Sequence, residues 1–265
     1  MSTIDKHSNI IHDPKIKRIV EYSADNKQVN VLDQRFYRRD GKYYPSITSI
    51  LNYFPKNQFF HSWLKDVGHN ADVIVRKSAD EGTQTHSLIE RYLTGEQLNW
   101  LDEKGNANCS LNVWQMLLKF VEFWETEKPE LIESEIHLFS DTHKIAGTCD
   151  LVVRMRDELW ILDIKTSNSV HTSYDLQLAA YTTCWNETFE EKVTKNGIIW
   201  LKSSKHKADP KGNKIQGKGW EVIVSPRSIE ENWNLFAKVY DLYKLENPDA
   251  EPMFNKFPMS VKLKS

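Results

Sequence analysis

Apolar residues recur along this chain in two rhythms. Alternation comes first: Arg18–Tyr22 and Val29–Arg38 carry short β-like stretches, and Asp40-Gly41 between RFYRR and KYY is a hairpin turn signal. Helical spacing then takes over. Pro45-Ser46 opens an apolar-periodic segment of Ile47, Ile50, Leu51 and Phe54 that ends at Pro55, and Gln58–Val67 predicts a second short helix. Ala71–Leu93 predicts a longer helix, with Gly82 marking a bend or break. After a loop over 95–108, Leu111, Trp114, Leu117, Leu118, Val121 and Trp124 repeat at helical spacing up to Pro129, which makes these tryptophans packing residues.

The second half returns to strands. Ile132–Phe139 alternates, and Lys144–Lys165 reads as two antiparallel strands joined by the charged turn Arg156-Asp157-Glu158. Tyr174–Phe189 predicts a helix packing through Leu176, Ala179, Ala180 and Thr183. Gly197–Leu201 and Trp220–Val224 are compact strands. Ser225-Pro226 opens a last amphipathic helix carrying Ile229, Trp233, Phe236, Ala237 and Tyr240. Helices followed by β-β-β-α-β-β-α predict an α/β fold: a mixed central sheet with helices on both faces, preceded by a mostly helical layer. Residues 1–43 form an N-terminal extension with a β-hairpin, 44–246 the main domain, and 247–265 a tail.

Composition narrows the class without choosing a function. At 265 residues, with 40% hydrophobic and 27% charged residues, the chain can bury a substantial core. A net charge of −2 shows no global basic field, so any phosphate contact must come from a local patch. No apolar stretch resembles a signal peptide or is long enough to span a membrane. Cys109, Cys149 and Cys184 are widely spaced, with no CxxC pair, and predict buried thiols in a reducing, cytoplasmic compartment.

Candidate chemistry gathers on the Lys144–Lys165 hairpin. Strand alternation puts Asp163 and Lys165 on one face and Leu162 and Ile164 on the other. With Asp150 on the adjoining strand, two carboxylates and a lysine make a candidate divalent-metal site, since hard cations take oxygen ligands. The bland alternative is a solvated surface hairpin. His86 and Glu90 share a helix face at i, i+4, from which both could approach a metal, but on spacing alone a half-exposed histidine beside a solvated glutamate is the better reading. Gln177 and Tyr181, also at i, i+4, either hold a phosphate or brace the carboxylates, or are an ordinary polar helix edge. Glu135 is a further acidic contributor or a solvent-facing residue. Lys202, Lys205, Lys207, Lys211, Lys214 and Lys218 crowd one loop, suited to a nucleic-acid backbone or to a solubilising tip. Gly212–Lys218 mimics a phosphate loop, but Gly219 stands where a Ser or Thr would bind Mg²⁺, which excludes nucleotide binding there. No G-x-S-x-G elbow and no G-x-G-x-x-G fingerprint occur.

Taken in order, Gly82-Thr83…His86, Glu135, Gly147–Asp150 (GTCD), Asp163–Lys165 (DIK) and Gln177–Tyr181 (QLAAY) resemble the RecB-like branch of the PD-(D/E)XK nucleases. Tyr44–Leu51 (YPSITSIL) is similar to the opening of phage and mitochondrial genome maintenance exonucleases in that branch. The resemblance covers about residues 44–200. It implies a restriction-endonuclease-like core and makes 44–246 a nuclease domain. It also implies Asp150 and Asp163 as metal-binding carboxylates, with the Ile164 carbonyl and His86 completing the shell and Lys165 orienting water or offsetting charge at the scissile phosphate. Gln177 and Tyr181 then contact DNA or brace the site, and Glu135 matches the glutamate before the aspartate motif. The implied cofactor is Mg²⁺ or Mn²⁺. An iron–sulfur cluster is not expected, because three wrongly spaced cysteines cannot supply its four thiolates. The implied substrate is DNA, as single strands or duplex ends, in a bacterial or phage-infected cell. Any helicase or recombination partner is a separate protein. The competing class is a non-catalytic nucleic-acid-binding module that keeps the fold.

Overall fold

A computed structural model describes residues 20–22, 27–31, 34–201, 219–249 and 251–252. The lysine-rich loop 202–218 and most of the tail therefore lie outside the described residues.

Four short strands, β1 (Val20–Tyr22), β2 (Gln28–Val31), β3 (Gln34–Arg39) and β4 (Lys42–Pro45), form an antiparallel meander. Asp40 and Gly41 turn between β3 and β4 with φ of 51° and 75°, the left-handed backbone that a two-residue hairpin of this twist requires. Ser46 then caps α1 (Ile47–Leu51) by accepting from Thr48 N. Helices α2 (Gln58–Val67), α3 (Ala71–Leu93) and α4 (Leu111–Glu127) complete the helical layer.

The central sheet runs β5 (Glu130–Ser140), β6 (Ile145–Met155), β7 (Glu158–Lys165), β8 (Lys195–Trp200) and β9 (Glu221–Ile223) in that spatial order. Every pairing is antiparallel except β7 with β8, which are joined through α5 (Thr172–Thr188). Helix α6 (Ile229–Glu246) closes the described fold. One core packs α1, α5 and α6 against one face of the sheet, through Ile47, Ile161, Leu176, Tyr181 and Phe236. A second packs α3 and α4 against the other face, through Ile89, Phe120, Phe123, Leu162 and Ile164. Tyr37 and Tyr44 join the β3–β4 hairpin to Phe139 and Ala146 of the central sheet.

Three local expectations need correction. Gly82 does not break α3: a Cβ there would stand 3.1 Å from Thr166 Oγ1, so the glycine lets an unbroken helix approach the end of β7. The packing face of α4 is Val113, Met116, Leu117, Phe120 and Phe123, while Leu111 and Leu118 are about half exposed. Asn112, Gln115, Lys119 and Glu122 form a polar stripe on the side away from the buried face, and the expected stripe is rotated part of a turn toward it. Helix α6 begins at Ile229, where Ser228 and Glu231 form a reciprocal capping box, not at Ser225. Ser225 instead donates to Asp175 on α5. Cys149 and Cys184 are buried as expected, while Cys109 is half-buried.

Candidate metal and active site

The site forms where β5, β6 and β7 lie side by side under α3. Registers Ser134↔Leu151 and Ile136↔Cys149 leave Glu135 opposite Asp150. Two like charges facing each other across a ladder are unfavourable. The backbone there is irregular as well: Glu135 has φ of 50°, uncommon for a residue with a side chain. Strand parity also switches at this point. Ile145 and Cys149 face the α5 core, whereas Leu151 and Val153 face the α3–α4 core. The simple alternation expected through Asp150 is thus broken, and the break turns both carboxylates toward α3.

His86 comes down from α3, on the face that carries the buried residues Thr85 and Ile89. Its Nε2 lies 3.2 Å from the Ile164 carbonyl, which can only accept, so this nitrogen carries the proton. Nδ1 is left facing Asp150 Oδ2 at 3.7 Å and Glu135 Oε1 at 3.8 Å. One donor atom from each of these three residues lies within 4.8 Å of the others. Asp150 is oriented by the Ile164 N–H, which donates to its Oδ2 at 2.7 Å.

Asp163 and Lys165 occupy the other face of β7, as alternation requires. Lys165 Nζ sits 2.6 Å from Asp163 Oδ2 and donates to Gln177 Oε1 at 3.2 Å. Gln177 Nε2 in turn donates to the Tyr181 hydroxyl at 2.7 Å. Both α5 residues are buried, so they brace the lysine from inside the fold. Tyr174 adds its ring face 4.6 Å from the ammonium. This contact was not anticipated, although Tyr174, Gln177 and Tyr181 share one helical stripe. Gly147 of the GTCD stretch packs against the same unit: a Cβ there would meet Tyr181 Cε1 at 2.5 Å.

Charge is concentrated and shielded here. Burial pushes the Asp163 carboxyl up to about 6, with Lys165 holding it down and Asp150 adding to the rise. Burial also raises Asp150, against the pull of His86 and Lys165. Burial opposes charge on His86, yet Asp150 and Glu135 outweigh it and raise the imidazole to about 9. The cluster therefore draws a cation. A proton on His86 Nδ1 satisfies it in part, and a divalent ion is the stronger match for a nitrogen and two carboxylates. Asp163 Oδ2 is buried, and its close neighbour is the Lys165 ammonium. The residues fit a metal. Glu135 stands with His86 and Asp150, Asp163 pairs with Lys165, and the Ile164 carbonyl is engaged by His86. Glu90 is exposed and takes no part.

A cleft of about 550 Å³ opens beside these groups, lined by His86, Ile164, Lys165 and Thr166 together with Phe60 and Trp63 of α2. Among the described residues no helix is long and apolar enough to cross a membrane.

Over 159 residues the chain is 28% identical to an uncharacterized protein of Ureaplasma parvum serovar 3, spanning 57% of this chain and 71% of the relative. Among solved structures, a candidate exonuclease of Eubacterium rectale is 12% identical with a TM-score of 0.39, covering 71% of this chain and 77% of that one. The protein SSO0001 is 13% identical with a TM-score of 0.28, covering 68% and 96%. Both scores are too low to bear on function. The sequence pattern of the PD-(D/E)XK nuclease superfamily, by contrast, matches residues 56–254, a span that holds His86, Glu135, Asp150, Asp163 and Lys165. With well over half its length inside that match, the chain belongs to the PD-(D/E)XK nuclease superfamily.

Proposed function

We propose that this protein is a metal-dependent deoxyribonuclease of the RecB-like branch, an exonuclease acting on DNA ends or single strands in replication, recombination or repair. The observation that carries the reading is the convergence of His86, Glu135 and Asp150 on one side of β7 with the Asp163–Lys165 pair on the other. A non-catalytic binding module has no use for buried carboxylates that repel phosphate. The exonuclease assignment rests on the resemblance of Tyr44–Leu51 and the ordered motifs to phage and mitochondrial exonucleases.

His86, Glu135, Asp150 and Asp163 would hold Mg²⁺ or Mn²⁺. When bound, the ion supplies positive charge where the phosphate gains negative charge and favours ionisation of an attacking water. The chain's own groups do the positioning. The Ile164 N–H and carbonyl orient Asp150 and His86 respectively, so one residue's backbone sets both donors. Lys165, gripped by Asp163 and Gln177, presents its ammonium to the cleft, where it neutralises a non-bridging phosphate oxygen or orients the water. Both Asp163 and Asp150 raise the Lys165 pKa against burial, so the ammonium stays charged at neutral pH. Residues 44–246 are the nuclease domain in this reading, and the protein works inside the cell.

The test is incubation with end-labelled single- and double-stranded DNA in Mg²⁺, Mn²⁺ or EDTA, alongside Asp163→Ala. Degradation that needs metal and falls at least about a hundredfold in the variant is expected, with a ladder shrinking from one end. Internal fragments would replace the exonuclease by an endonuclease. DNA retention without cleavage in either metal would leave the binding module.

A further inference from the structure

Helix α2 is amphipathic yet buries none of its ten residues. Phe59 is 85% exposed. Phe60 and Trp63, with ring centroids 5.9 Å apart and planes inclined by 34°, line the same cleft as His86 and Lys165. The turn that carries them is anchored, because the Asn57 side chain accepts from Phe60 N at 2.9 Å. Across the cleft runs a polar wall, the 166–169 segment after β7, held by Trp200 Nε1 donating to Ser167 O and by the Tyr174 hydroxyl donating to Ser167 Oγ. Cations accompany it: Lys165 lies in the cleft, and Lys56 is close enough to lower the pKa of His171, which burial already depresses.

One wall is aromatic and the other polar, and the floor is the phosphodiester-cleaving unit. The occupant must offer flat apolar faces and a negatively charged backbone together. A duplex hides its base faces in its own stack. A protein segment lying here would cover His86 and Lys165. Unpaired bases on a phosphodiester strand meet both demands, since aromatic side chains stack on any base while nearby cations track the backbone. We propose that Phe60 and Trp63 form a stacking platform for unpaired bases next to the scissile phosphate, so that the nuclease selects single-stranded substrate. The proposal rests on the nuclease reading for its floor, but its test does not need cleavage.

Fluorescence anisotropy in EDTA would compare oligothymidylate, an abasic strand of equal length and a blunt duplex, each binding to the native full chain, to the Phe60→Ala/Trp63→Ala double variant and to Trp63→Phe. The double variant is expected to lose about tenfold or more in affinity for oligothymidylate, with the abasic strand and duplex unaffected and Trp63→Phe close to native. Equal losses on the abasic strand, or no loss on oligothymidylate, would overturn the platform. Cleavage in Mn²⁺ is scored separately. A protein that binds in this base-dependent way without cutting keeps the platform and loses the nuclease; one that cuts without base dependence does the reverse.

Discussion

Lys165 is an ammonium gripped from three directions, by Asp163 at 2.6 Å, Gln177 at 3.2 Å and the Tyr174 ring at 4.6 Å. A lysine left to itself rotates among many rotamers; here the partners leave it one direction, toward the cleft. Gln177 matters because it connects the ammonium to Tyr181 deeper in the fold. Gln177→Leu keeps the volume but strands the Tyr181 hydroxyl, and should cost about 1–3 kcal/mol of stability. With the ammonium freer to wander, kcat should fall about tenfold with little change in KM. Thermal melts and steady-state cleavage check both, and an unchanged kcat would reduce Gln177 to a purely structural role. Residue types and spacing alone offered Asp150, Asp163 and Lys165 only as candidates, and the ordered motifs elsewhere in the chain gave them weight. Tyr174 escaped that reading, because an aromatic three residues before a glutamine on a helix is usually packing.

At the scale of elements, β6 illustrates why pattern reading stops short. Its residues look like one alternating strand, yet parity reverses at Asp150 and the opposing Glu135 adopts a left-handed backbone. A single irregularity of this kind aims both carboxylates at α3, and no hydrophobicity pattern announces it. The neighbouring Gly147 has a clearer cause. Tyr181 packs where a Cβ would be, so the GTCD and QLAAY stretches interlock. Gly147→Ala should push the Tyr181 ring aside and destabilise the fold by about 1–3 kcal/mol. Chemical denaturation would measure it. A neutral result would mean the ring moves freely and does not brace the site. In α4, by contrast, the predicted face was off by a rotation: it took in Leu111 and Leu118, which flank the polar stripe of Asn112, Gln115, Lys119 and Glu122, and missed Val113, Met116, Phe120 and Phe123.

For the whole molecule, the site lies between two cores. The α3–α4 layer brings His86, and the α5 layer brings Gln177 and Tyr181, onto opposite faces of the same strand. Metal binding should therefore stabilise the folded chain globally, by RT ln(1 + [ion]/Kd), about 2.7 kcal/mol at a hundredfold excess over Kd. We expect Mn²⁺ to raise Tm by several degrees and His86→Ala to remove most of that rise. A rise of the same size in the variant would take His86 out of the shell. EDTA should return the native protein to its metal-free Tm.

Sequence alone determined the element order, the mixed sheet with helices on both faces, and the residue types from which a metal-dependent nuclease is made, because periodicity and side-chain chemistry are local properties. Tertiary structure decided which of those residues meet. His86 and Asp150 are 64 positions apart in the chain, and only the packing of α3 over β7, with Gly82 against Thr166, brings them within reach. Glu135 lies in one cluster with His86 and Asp150, and Asp163 lies against Lys165. The aromatic face of α2 gained its meaning in the same way: Phe59, Phe60 and Trp63 on a short helix say nothing until the fold sets them against the cleft. Distances between remote residues are set by the sum of every packing contact between them, and no short stretch of sequence contains that sum.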